Sequence, residues 1–105
     1  FKNAIVSREI YERIVVDYPN APHYDLPDGN VKIPTGWLIE QSGLKGALYR
    51  GMRVYDKNAL VLVNESAKSY DNLAAARQYI INTVQTKFGI TIQQEPLEIY
   101  TKKLF

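Results

Sequence analysis

Apolar residues recur at helical spacing in three stretches of the chain and alternate or run together in others. After Ser7, Ile10 and Ile14 lie four apart with Tyr11 and Val15 beside them, which predicts an amphipathic helix capped by the serine hydroxyl. Glu9 and Arg13 stand at i and i+4 on its polar side, and Pro19 and Pro22 end it. Pro34 suits the first turn of a second helix carrying Trp37, Leu38 and Gln41, with Gly43 placed to end it in a left-handed cap. The longest helix is expected after Ser69, with Leu73, Ala76, Ile80, Val84 and Phe88 as its stripe and Gly89 as its stop. Residues 59–63 are apolar on both alternations, the pattern of a strand buried on both faces. Ile90-Thr91-Ile92 and residues 97–100 read as short strands. Residues 19–32, with three prolines and the Asp28-Gly29 turn signal, read as a loop whose length in so short a chain points to function. Gly43, Gly46 and Gly51 mark places where backbone turns tightly or approaches something closely. The order of elements predicts an α+β fold: one small domain, with the long helix packed on a short mixed sheet.

Composition narrows the class without naming a reaction. A chain of 105 residues fits one domain. Thirteen basic against 11 acidic residues give a net charge of +2, too balanced to argue for nucleic acid. There is no cysteine, so thiol chemistry, disulfides and cysteine-held metals are excluded, and a reducing, cytoplasmic setting is expected. No apolar run approaches the roughly 20 residues that span a bilayer, so no membrane partner is expected. The chain opens Phe1-Lys2-Asn3, without an initiator methionine or a signal-peptide pattern.

The residues that carry chemistry are few. His23 is the single histidine, and the expected reading is an exposed loop side chain, since no serine, aspartate or further ligand is tied to it. Gly43, Gly46 and Gly51 with Lys45 form no dinucleotide or P-loop fingerprint. They allow either a phosphate contact or a structural turn beside a solvated lysine. Of the eight tyrosines, Tyr11 and Tyr79 fall on helical stripes and are expected in the core, while Tyr24 and Tyr49 are the better binding candidates. Glu95 stands between two short strands and before Pro96.

The run Gly36-Trp37-Leu38-Ile39-Glu40-Gln41-Ser42-Gly43-Leu44-Lys45-Gly46 resembles the signature of the C-terminal domain of the UDP-N-acetylenolpyruvoylglucosamine reductases. Asn58-Ala59-Leu60-Val61-Leu62-Val63-Asn64 resembles the strand that follows it, Phe88-Gly89-Ile90 leads to Glu95 at the family's spacing, and Phe1-Lys2-Asn3 resembles the end of the family's G-S-F-F-K-N-P motif. The resemblance implies that residues 1–105 are a substrate-binding C-terminal domain, with a bi-lobed FAD-binding domain expected upstream. It implies an NADPH-using oxidoreductase that converts UDP-N-acetylglucosamine enolpyruvate to UDP-N-acetylmuramate, a peptidoglycan precursor. The motif's general-acid serine would lie two positions before Phe1, so this chain by itself is expected to bind no FAD and to be inactive. Glu95 falls on the family's catalytic glutamate. Asn3, Tyr24, Lys32, Lys45 and Asn58 fall on or near positions that meet the UDP-sugar, and the other expected partner is the flavin domain. A non-catalytic nucleotide-sugar-binding module or a structural α+β module are the alternatives. The chain departs from the family pattern at Ala4, where the motif has proline, and at Arg50-Gly51, where many relatives have Gly-Gly. It departs again at Gln93-Gln94-Glu95-Pro96, where proline follows the glutamate instead of preceding it.

Overall fold

In the computed structural model, which describes residues 1–93, the chain alternates short strands with three helices. Strand β1 (Ala4–Val6) leads into helix α1 (Arg8–Asp17), whose first turn is capped as expected by the Ser7 hydroxyl accepting from the Ile10 N–H at 3.3 Å. Ile14 is buried, and Ile10, Tyr11 and Val15 are half-buried beside it. Glu9 and Arg13 are not among the ion pairs of the described residues. The exposed pair on this helix is Arg8 with Asp25 at 2.5 Å.

The expected loop over residues 19–32 is a hairpin. β2 (Tyr24–Asp25) and β3 (Val31–Ile33) pair antiparallel across a turn closed by Leu26 and Asn30, with Gly29 at φ +88°. Strands of two and three residues are too short to declare themselves by alternation. β3 is held by β1 on its other side, so the first sheet has the order β1-β3-β2. Its inner face is Ala4, Val6, Val31 and Ile33, all buried.

Helix α2 (Thr35–Gln41) follows, with Pro34 at its cap position and Gly43 in the left-handed region at φ +78°. Next, β4 (Leu48–Tyr49) and β5 (Met52–Val54) form a hairpin through Arg50 and Gly51, both at positive φ, the two-residue geometry that suits strand twist. β6 (Leu62–Asn64) completes a second sheet of order β4-β5-β6. The strand expected over residues 59–63 therefore begins at Leu62, and Leu60 is exposed, but β6 itself is buried at every position. The expectation of one mixed sheet is corrected. Every pairing among the described residues is antiparallel and falls in two three-stranded sheets; the connections β2–β3, β4–β5 and β5–β6 are too short for a parallel crossover.

Helix α3 (Tyr70–Phe88) carries the expected stripe, with Leu73, Ala76, Ile80 and Val84 all buried, and Gly89 closes it at φ +70°. It packs on β5 and α2. Ser69 occupies its cap position but makes no side-chain cap bond, contrary to expectation. Tyr18, Trp37 and Phe88 meet with ring centroids 5.3 to 5.9 Å apart and tie the ends of α1 and α3 to α2. Residues 90–93 form no strand, yet the alternation is real. Ile90 and Ile92 are buried and Thr91 is exposed, while the Lys2 N–H donates to the Gln93 carbonyl at 2.7 Å, laying this segment beside the chain that enters β1. The strand expected at residues 97–100 lies outside the described residues.

Candidate functional site

The outer face of the first sheet presents one row. In the antiparallel register Ile5 stands opposite Lys32, and Lys32 opposite Tyr24, so the three side chains share a face. Ile5 and Tyr24 are 62% and 60% exposed, unusual for large apolar side chains on paired strands. The Lys32 ammonium lies 5.9 Å from the centre of the Tyr24 ring, a cation–π distance. The expectation that Tyr24 and Lys32 lie on a loop is corrected, since both are on paired strands.

At the end of this row the chain makes a hollow of about 330 Å³ lined by Lys2, Asn3, Ala4, Ile5, Ile90, Thr91 and Gln93. Asn3 is exposed, and its side-chain oxygen accepts from the Thr35 N–H at 3.2 Å. A backbone N–H only donates, so the atom facing it is Oδ1, which leaves both Nδ2 hydrogens for another acceptor. Thr35, wholly buried, also donates its hydroxyl to the Lys2 carbonyl at 2.5 Å.

Asn58 belongs to the turn before β6. Its side-chain oxygen accepts from the Leu60 N–H at 3.0 Å, and the Leu60 side chain lies over Gly36 in the first turn of α2. The start of α2 thus links Asn3, through Thr35, with the Asn58–Leu60 turn. Lys45 lies past the other end of that helix, where its ammonium is 3.7 Å from Glu40 and both side chains are substantially exposed. The following Gly46 sits against Asp56. The contacts therefore join Tyr24 with Lys32 and bring Asn3 and the Asn58 turn to one end of α2, while Lys45 is held at the other. Glu95 lies outside the described residues, two positions beyond Gln93.

Other candidates have local explanations. His23 is exposed, as expected, with the Tyr11 hydroxyl 3.0 Å from its Nδ1. Tyr79 is 41% exposed and not in the core. It stacks on Tyr49 at 4.4 Å between centroids, and that pairing occupies a face of the Tyr49 ring that the sequence suggested for binding. Arg53 makes two hydrogen bonds to Glu65, whose carboxylate raises the guanidinium pKa further above its ordinary value, and donates to the Gly46 carbonyl at 2.7 Å. Arg53 thereby fixes the backbone beside Lys45. Neither this role nor the buried clamp of Thr35 was legible in sequence, because both depend on partners brought near by the fold. Among the described residues no group of three metal-ligating side chains converges, and no helix is long and apolar enough to cross a membrane.

Comparison with known proteins bears on the whole of this surface. Residues 1–99 match the family described as UDP-N-acetylenolpyruvoylglucosamine reductase, C-terminal domain. Proteins named UDP-N-acetylenolpyruvoylglucosamine reductase from Porphyromonas gingivalis and Yersinia pestis are 44% and 45% identical to this chain over 95 residues, which is 90% of it and 28% of each relative. The one from Neisseria gonorrhoeae is 42% identical over 96 residues, 91% of the chain and again 28% of the relative. The chain therefore spans somewhat over a quarter of the length of the curated relatives it matches. With a match that runs from the fastened entry to β1 through the last described residue, the chain belongs to the family of UDP-N-acetylenolpyruvoylglucosamine reductase C-terminal domains.

Proposed function

We propose that this domain is the substrate-binding part of a flavin-dependent, NADPH-using oxidoreductase that converts UDP-N-acetylenolpyruvoylglucosamine to UDP-N-acetylmuramate in the cytoplasm, for peptidoglycan precursor synthesis. The observation that carries the reading is the match over residues 1–99 to a domain family of that reductase. FAD and NADPH belong to the remainder of the protein. The glycines of this chain form neither a dinucleotide-binding fingerprint nor a P-loop, and no residue here is assigned to them. When bound there, the flavin supplies hydride.

The residues of this domain bind, orient and stabilise charge. The Asn3 amide hydrogens, without a partner among the described residues, suit an anionic oxygen of the substrate, at the rim of the hollow beside residues 90–93. Lys32 and Tyr24 offer a cation and an aromatic face side by side for the nucleotide. Lys45 and Asn58 complete the proposed contacts, Lys45 by exchanging its exposed pairing with Glu40 for a phosphate. Glu95 is the proposed catalytic residue. Hydride added at the terminal carbon of the enolpyruvyl group leaves negative charge delocalised into its carboxylate, and a protonated or hydrogen-bonded carboxyl group nearby stabilises it. The serine expected upstream of Phe1 would then deliver the proton to the adjacent carbon.

The test is turnover by the complete protein that carries this domain. NADPH oxidation dependent on UDP-N-acetylenolpyruvoylglucosamine, with UDP-N-acetylmuramate as product, is expected. Flavin-loaded protein that binds the nucleotide sugar without turning it over would point instead to a binding module.

A further inference from the structure

The chain entering β1 is fastened at four points within three residues. Phe1 is buried, the Lys2 N–H is bonded to the Gln93 carbonyl, the Lys2 carbonyl accepts from the Thr35 hydroxyl, and Asn3 Oδ1 accepts from the Thr35 N–H. Two of the four go to one residue. Thr35 is the first residue of α2, and the helix does not use its hydroxyl, because that group is turned to a carbonyl 33 residues earlier in sequence. A hydroxyl at 0% exposure is costly unless paired, and the Lys2 carbonyl is its pair. Thr35 therefore grips the carbonyl of residue 2 with its side chain and the side chain of residue 3 with its backbone. That grip fixes the peptide on which the Asn3 amide is mounted and leaves the Nδ2 hydrogens without a partner among the described residues.

We infer that Thr35 is a positioning residue. Its hydroxyl, acting through the Lys2 carbonyl, sets the orientation in which Asn3 presents its amide donors to an anionic oxygen of the substrate. The inference rests on the substrate contact proposed above for Asn3. It makes Thr35 a determinant of kcat/KM although it touches no ligand, since a supporting contact that shifts a donor by a fraction of an ångström weakens an oriented hydrogen bond.

A double-mutant cycle in the complete protein tests it, read as kcat/KM for reduction of UDP-N-acetylenolpyruvoylglucosamine together with the thermal midpoint of each variant. Thr35→Val removes the hydroxyl and keeps the shape and the backbone donor to Asn3. It is expected to lower kcat/KM about tenfold, the size of one lost hydrogen bond. Thr35→Ser is expected to restore activity to within about threefold of the parent. In the Asn3→Ala background Thr35→Val is expected to change kcat/KM by less than about twofold, because what it positions is gone. If Thr35→Val does not fold, Thr35→Ala, which puts no second methyl against the Lys2 carbonyl, takes its place in the cycle. An Asn3→Ala variant with unchanged kcat/KM would sink the substrate contact of Asn3, and this inference with it. A loss from Asn3→Ala that Thr35→Val multiplies in full would leave the contact standing and overturn the positioning role alone.

Discussion

Gly51 meets two constraints that no other residue satisfies together. Its φ of +83° suits glycine, and a Cβ built on it would stand 2.4 Å from the Ala67 backbone nitrogen and 2.7 Å from the Ser66 carbonyl carbon. The Ser66–Ala67 backbone cannot retreat easily, because the buried Asn64 side chain holds Ala67 at both its N–H and its carbonyl. Gly51→Ala is therefore expected to destabilise the domain by about 3 kcal/mol or more, more than the positive φ alone would cost, measured by denaturant unfolding. Arg50, at φ +50°, carries the conformational strain without the clash. Arg50→Gly is expected to shift stability by less than about 1 kcal/mol, since relief of the backbone is offset by the greater freedom of the unfolded chain. At Glu95, Glu95→Gln in the complete protein is expected to slow substrate reduction by on the order of 10²-fold while leaving flavin reduction by NADPH nearly intact. Its carboxyl is proposed to act only where charge develops on the enolpyruvyl group. Stopped-flow measurement of the two half-reactions separates the steps, and slowing confined to flavin reduction would refute the assignment. At this scale a motif singled out Asn3 and Lys45, whose substrate contacts are proposals. Nothing in the sequence singled out Thr35, whose hydroxyl reads as one more polar group at a helix start.

At the scale of elements, two serines in matching positions behave differently. Ser7 and Ser69 both precede an apolar helical stripe, and both read as caps. The Ser7 hydroxyl makes the cap bond and the Ser69 hydroxyl does not. Ser7→Ala is expected to cost about 1 kcal/mol and Ser69→Ala a few tenths, compared by thermal or denaturant unfolding of the same domain. Equal losses would mean that Ser69 caps in solution. The helices were the most legible elements, because their stripes extend over several turns and glycine marks two of their ends. The first sheet was the least legible. Its strands are two or three residues long and owe their existence to one another. Residues 24–25 and 31–33 pair with each other, and β3 pairs on its other side with β1.

At the scale of the molecule, the described residues enclose one hydrophobic core that draws on both sheets and all three helices. The proposed substrate contacts lie around its outside, and the flavin domain is proposed to supply the remainder of the site. Titration of the isolated domain with a UDP-sugar is expected to give a dissociation constant on the order of millimolar, about 4 kcal/mol of binding. The isolated domain is also expected to purify colourless and to oxidise no NADPH. A yellow preparation would place flavin contacts within this chain.

What the sequence determined by itself is local or written in a fixed order: the three helices, the turn at Asp28-Gly29, the glycine stops, the α+β class, and the motif spacing that points to the reductase family. The helices, the turn and the glycine stops follow from backbone preference and short-range periodicity, which need no distant partner, and the family followed from the resemblance of its motifs in their order. The tertiary structure alone decided that Lys32 stands between Ile5 and Tyr24, that Tyr49 stacks on Tyr79, and that residues 90–93 flank the start of β1. It also placed the Thr35 hydroxyl on the Lys2 carbonyl. Each of these joins residues far apart in the chain. Which of them meet is set by strand register and by the closing of a shared core, and neither is encoded in any one window of residues.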